Sequence, residues 1–226
     1  MNVAEALKAR VSVRAYKPDP VPEFLLREIL DAARFAPSGG NLQPWKLIAV
    51  SGAARDAVCA VARETLMRDP TSQEGDRIVY PPKLWEPYRT RRFKVGEDMY
   101  DLLAVAREDK PARLAHVARN FDFFGAPVGL FFVIDKNFGH HQWLHLGMFM
   151  QSLALAATER GLGSCFQEFW ARFRESLHAH FQLPEQDMIV CAMALGYADE
   201  TAPVNSLRSE REETDAIAAF KGFHRS

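Results

Sequence analysis

Arg10, Ser12 and Arg14 occupy alternate positions in the stretch RVSVRAYKPDP. In an extended chain, side chains two residues apart share one side. Two forked guanidiniums and a hydroxyl on that side suit a phosphate group. Surface arginines engaged in solvated ion pairs would give the same pattern. A second chemical candidate is the loop APSGGNLQPW at 36–45, which carries no acid, no base and no thiol. Its glycines let backbone approach a flat ligand closely. The amides of Asn41 and Gln43 offer both donors and acceptors, as the edge of a heteroaromatic ring requires. Helix termination followed by an Asx turn is the alternative there.

Other catalytic chemistries find little support. There is no GxSxG elbow, no P-loop, no GxGxxG and no HEXXH. His141 and His145 stand one helical turn apart, but a metal needs more ligands than these, and polar histidines near a helix start have the same spacing. His178 and His180 fall on different helix faces. Cys59, Cys165 and Cys191 are odd in number and widely separated, and they form no CxxC pair. They read as reduced thiols, which favours a cytoplasmic location. No signal peptide or bilayer-spanning run is expected, because MNVAEALKARVSVR is a charged amphipathic start and no apolar run approaches about 20 residues.

Several elements must position these groups. Residues 3–9 form a short helix, with Asn2 as N-cap and Glu5 three positions later. Pro22 opens a stronger helix, PEFLLREILDAARFA, which Pro37 and the two glycines stop. KLIAV at 46–50, VGLFFVI at 128–134 and IVCAMALGYA at 189–198 read as strands, the second buried on both faces. AARDAVCAVARETLM is the helix after the first strand. WLHLGMFMQSLALAATER at 143–160 is the longest helix and apolar nearly all round, so it belongs at the centre or against a second subunit. Gly161 ends it. Residues 69–100 are rich in Pro, Arg and aromatics without a sustained period, which suggests a functional insertion. The polar tail after residue 200 must lie on other surface. With 226 residues, 48% hydrophobic and 25% charged at net charge −1, the chain fits one α+β domain over 1–226. Near-neutral charge gives no reason to expect nucleic acid or an anionic membrane as partner.

RVSVRAYKPDPVP, ARFAPSGGNLQPWKLIAV, NFDFFGAPVGLFFVID, QWLHLGMFMQSLALAATERGLGSCFQEFW and ALGYADETAPVNSLRSERE occur in this order over nearly the whole chain. Together they resemble the FMN-dependent nitroreductase family, in the branch that includes nitrobenzoate and nitroaromatic reductases. The resemblance implies a mixed, mostly antiparallel sheet flanked by helices, in an intertwined homodimer with FMN at the subunit interface. It implies that Arg10, Val11, Ser12 and Arg14 hold phosphate, ribityl and pyrimidine groups. Pro37, Ser38, Gly39, Gly40 and Asn41 of the other subunit would pack on the isoalloxazine. Arg208, with Arg211 as a second candidate, would reach back to the phosphate. Gln167 would contribute to the flavin site, and the backbone near Glu168 and Phe169 would approach flavin N5. Phe166 and Phe169 depart from the smaller residues usual in the family. The implied activity is ping-pong hydride transfer from NADPH or NADH to a nitroaromatic or quinone-like acceptor, with no catalytic side chain demanded. Phe123, Phe124 and Arg89 are candidate acceptor contacts, although the two phenylalanines read equally as core aromatics before a strand and Arg89 as a surface residue; the 69–100 insertion is a candidate lid or channel, and residues 200–226 an arm over the partner subunit. Reductive dehalogenation, enone reduction and flavin cleavage are alternatives on the same fold, as is a non-catalytic FMN-binding or redox-sensing role.

Overall fold

The computed structural model describes residues 1–74 and 80–223. Four strands form one sheet in the order β1 (Lys46–Ser51), β2 (Val128–Asp135), β4 (Asp187–Gly196), β3 (Gly163–Gln167). Every neighbouring pair is antiparallel. The one parallel pairing among the described residues is an isolated bridge between Ser12 and Ser164.

Strand β2 explains the architecture. It is apolar at consecutive positions because both of its faces are covered. Phe131 and Val133 point into a cluster with Val58, Phe123, Trp170, Phe173 and Leu177. Leu130, Phe132 and Ile134 point the other way, against Leu26, Ile29, Leu146, Phe149 and Leu153. On one side those partners come from α3 (Gly52–Arg68), α7 (Arg174–Phe181) and the 3-10 turns Arg119–Gly125 and Glu168–Phe173; on the other they come from α2 (Glu23–Ala33) and α6 (His140–Glu159). Burying a large apolar side chain stabilises by about 1.5–3 kcal/mol, so these two layers fix the sheet.

Local signals set the element ends. In α1 (Val3–Ala9), the Glu5 N–H donates to Asn2 Oδ1 at 2.9 Å and the Asn2 N–H donates to Glu5 Oε2 at 2.8 Å, a capping box. Helix α6 ends where Gly161 takes φ +75°, so that the Leu162 N–H reaches Ala157 O at 2.9 Å. It leaves Leu144 and Met148 exposed on its outer face.

Three elements depart from the sequence reading. GSCFQ, assigned no element there and present only within a resemblance motif, is the edge strand β3. The aperiodic insertion contains a helix, α4 (Tyr88–Leu102), which buries no residue fully and therefore carries no apolar stripe. A further helix, α5 (Lys110–Ala118), starts at Asp109, whose side chain caps the Ala112 N–H. Residues 75–79 of the insertion lie outside the described residues. The tail folds back on its own chain through Pro203–Ser206, and a short helix α8 (Thr214–Ile217) follows.

Candidate functional site

The segment carrying Arg10, Ser12 and Arg14 is pinned as an extra strand-like ribbon beside β3. The Val13 N–H donates to Ser164 O at 3.0 Å. Gly163 makes the close approach possible, since a Cβ there would lie 2.7 Å from Val13 Cγ2. On the other side, the Arg14 N–H donates to Asn205 Oδ1 at 2.8 Å, and Asn205 Nδ2 donates to Ala15 O and Asp199 O, each at 2.8 Å. Asn205 thus fastens the tail to the N-terminal segment.

The result is a cavity of about 440 Å³ lined by Lys8, Arg10, Ser12, Arg14, Arg208 and Arg211. Val11 lines it as well, and Val95 of α4 forms part of the opposite wall. Among the described residues none of these cations has a carboxylate within ion-pair distance. The guanidiniums of Arg14, Arg208 and Arg211 are oriented mainly by carbonyls instead. Arg14 donates to Ser12 O at 3.2 Å, and Arg208 donates to Asn205 O and Leu207 O at 3.0 Å. Arg211 donates to Ser209 Oγ at 2.7 Å and to Glu210 O at 2.8 Å. Burial, and then the neighbouring Arg211, pull the Arg10 pKa below its ordinary value. Like charges crowded without a counter-charge are relieved by a bound anion. The donor set fits a phosphate monoester.

The glycine loop is built differently and does not line this cavity. Gly40, Asn41 and Gln43 take φ of 59°, 56° and 47°, left-handed values that cost a non-glycine residue about 1 kcal/mol or more. Three hydrogen bonds to or from side chains hold the bend. Ser38 Oγ accepts from the Gln43 N–H at 3.0 Å, Asn41 O accepts from Gln43 Nε2 at 3.2 Å, and His145 Nε2 accepts from the Gly39 N–H at 3.3 Å. Because Nε2 accepts, the imidazole proton sits on Nδ1, which lies 2.9 Å from Gln142 Oε1. Pro37, Ser38, Gly39, Gly40 and Asn41, between α2 and β1, are therefore held beside α6 as a shaped and largely solvent-facing surface. Sequence reasoning weighed His145 only as half of a metal pair. Its partner is a backbone N–H 106 residues away, for which the sequence carries no signal.

The segment after β3 turns sharply. Gln167 is buried, and its Nε2 donates to Asn120 O at 2.9 Å. Glu168 keeps an exposed flank, yet desolvation raises its carboxyl pKa. Phe166 leans on Phe132 in the α2–α6 layer, whereas Phe169 is exposed and meets Phe121 edge-on.

Of the three expected acceptor contacts, two are buried within this subunit and one is exposed. Phe123 is wholly buried, stacks on Trp170 at 4.7 Å and fills the notch left by Gly129. Phe124 is buried against His116. Both take left-handed φ, which turns their rings inward, so neither offers a ligand a surface within this subunit. Arg89 is exposed at the start of α4 and pairs with Glu86 at 2.7 Å. The cysteines are free and buried; burial pushes Cys59 and Cys165 up and Cys191 up to about 12, so all three are thiols rather than nucleophilic thiolates.

An antiparallel sheet with an arginine-lined pocket at its edge strand, and an amide-bearing glycine loop presented outward, give an α+β core whose donors suit an anionic ligand. The comparisons make the class specific: the nitroreductase family model matches residues 7–197, and the chain belongs to that family. It is 41% identical over 220 residues to the 4-nitrobenzoate reductase of Pseudomonas putida, covering 96% of this chain and 94% of the relative. The nitrobenzene nitroreductase of Ectopseudomonas oleovorans is 33% identical over 218 residues, covering 96% of each. The crystal structure of the FMN and NADPH-dependent nitroreductase NfnB from sphigopyxis sp. strain HMH superposes with a TM-score of 0.94 at 41% identity, over 99% of this chain and all of that one. The Mycobacterium smegmatis NfnB, solved in complex with NADPH, gives 0.89 at 29% identity over 97% of this chain and all of that one.

Proposed function

We propose that this chain is an FMN-dependent NAD(P)H oxidoreductase that reduces nitroaromatic or quinone-like acceptors in a ping-pong cycle, as a cytoplasmic homodimer. The observation that carries the reading is the set of five cations around one cavity, none paired with a carboxylate among the described residues. Similarity to FMN- and NADPH-dependent relatives over almost the whole chain supports it. FMN, when bound, supplies the hydride chemistry.

The chain's own residues bind and orient. Arg10, Ser12, Arg14, Arg208 and Arg211 hold the phosphate, with Val11 beside the ribityl chain. The backbone at Glu168 and Phe169, next to the buried Gln167, lies beside the flavin ring. Pro37, Ser38, Gly39, Gly40 and Asn41 of the partner subunit wall the ring. That assignment agrees with the loop's outward, preformed shape and with exposed apolar side chains at Phe24, Phe35, Leu42, Leu144 and Met148. Large apolar groups gathered on one surface favour association with another copy. Of the tail, residues 207–212 lie on their own chain, so only 214–223, with Ile217, Phe220 and Phe223 exposed, are available as an arm. Three unpaired cysteines agree with a reducing compartment.

The test is the visible spectrum of purified protein before and after anaerobic NADPH. A flavin spectrum that bleaches, and returns when a nitrobenzoate is added, is the expected result. A bound flavin that NADPH leaves oxidised, or no flavin uptake when FMN is supplied, would overturn the reading.

A further inference from the structure

Two of the cavity's arginines, Arg208 and Arg211, sit on a tail segment with no regular structure of its own. Exposed arginines on such a segment would sample many positions unless something fixed the backbone between them. Helix α4 supplies a fixed rail. It is anchored to α5 by a bidentate pair, Arg113 to Glu97 at 2.6 and 3.0 Å, both side chains largely buried. The Arg113 guanidinium also lies 4.1 Å from the centre of the Tyr100 ring. From this anchored helix, Arg91 reaches Glu212 at 2.6 Å and Lys94 reaches Glu210 at 3.2 Å. Arg91 stacks over Tyr88, and Lys94 is shared with Asp98 at 2.8 Å, so both cations are held on the helix side. Glu210 and Glu212 flank Arg211 in sequence, and Val95, next to Lys94 on the same helix, lines the cavity.

We propose that Glu210 and Glu212 are positioning residues for flavin-phosphate binding: clasped to Arg91 and Lys94 of α4, they hold the tail so that Arg208 and Arg211 face the same cavity as Arg10 and Arg14. The proposal rests on the assignment of that cavity to the FMN phosphate. It makes an unusual prediction of sign. Two carboxylates close to a phosphate site repel the ligand by simple Coulomb interaction, so neutralising them would tighten FMN binding. If they position the arginines, neutralising them weakens it.

The experiment is titration of apoprotein with FMN and, separately, with riboflavin, which lacks the phosphate. In the Glu210→Gln/Glu212→Gln variant the FMN dissociation constant rises about fivefold, the scale of two exposed ion pairs, while riboflavin affinity holds. The charge swap Arg91→Glu/Glu212→Arg, which keeps the net charge, binds FMN more tightly than Arg91→Glu alone. Unchanged or tightened FMN binding in the first variant, or no recovery in the swap, overturns the proposal. Arg14→Ala is measured alongside. If it leaves the preference for FMN over riboflavin intact, the phosphate assignment itself fails; if it lowers that preference while the glutamate variants leave it unchanged, only the positioning role fails.

Discussion

The clamp at residues 8–14 with 208–211 and the loop at 37–41 are two halves of one proposed cofactor site, built in opposite ways. The clamp is completed within a single chain: the N-terminal ribbon, the tail and α4 converge on one cavity. The loop converges on nothing in its own subunit, and His145 holds it in a strained shape that faces outward. Charge can be assembled from any elements that meet. A flat wall needs a rigid scaffold and a second surface opposite it. The clamp should therefore govern affinity and the loop should govern the ring's environment.

The largest effect expected breaks the clamp. Removing both central guanidiniums in Arg10→Ala/Arg14→Ala should weaken FMN binding by a few hundredfold or more, since a hydrogen bond to a charged group contributes about 1.5–3 kcal/mol. Riboflavin binding should change little. Fluorescence titration with both ligands checks this, and an equal loss for both would remove the distinction between clamp and wall.

The clamp side also carries an acid-sensitive group. His116 is buried between Tyr100 of α4 and Phe124, and its Nε2 has no hydrogen-bond partner among the described residues. Burial, with Arg119 and Arg14 nearby, lowers its pKa from 6.5 to about 4. Between those values the unfolded chain binds a proton that the folded chain refuses. Stability therefore falls as pH drops from about 6.5 to about 4, by roughly 3 kcal/mol for this group. His116→Phe should flatten that part of the stability curve, measured by urea unfolding at pH 7 and pH 4.5. An unchanged slope would show that the acid limb originates elsewhere.

A smaller effect tests how the ribbon is seated. Gly163→Ala places a methyl against buried Val13, at a cost of about 1–3 kcal/mol. The strain falls on the segment bearing Arg10, Ser12 and Arg14. FMN affinity should drop with stability, whereas a substitution elsewhere on the sheet, such as Cys191→Ala, should lower stability alone. Unfolding curves and FMN titrations of both variants decide it.

What could be read in advance follows the same division. Arg10, Ser12 and Arg14 were legible because alternation in an extended segment is a local property. Strand β2 was legible because a run apolar at consecutive positions demands cover on both faces. Strand β3 is five residues long with a glycine at its start and gave no period. Helix α4 buries nothing, so it had no stripe to read, although its basic outer face organises the tail. Phe123 and Phe124 read equally as pocket or core aromatics, because their inward turn depends on left-handed backbone and on space at Gly129, neither of which is written in NFDFFGAP. The charges of Arg208 and Arg211 were plain in the sequence, but their arrival beside Arg10 depends on Asn205 and on ion pairs to α4.

The smallest effect expected concerns the loop itself. His145→Leu leaves the Gly39 N–H without its acceptor and costs about 1 kcal/mol of loop order. Helix α6 stays intact, because leucine is a good helix former. FMN affinity should fall no more than about fivefold, since the clamp is untouched. The flavin absorption band and its reduction potential should shift, because the wall beside the ring has loosened. His145→Gln, whose amide oxygen can accept the same N–H, should restore both. Were His145→Leu to lower FMN affinity as far as Arg10→Ala/Arg14→Ala does, the loop would be part of the grip, and affinity could no longer be assigned to the clamp alone.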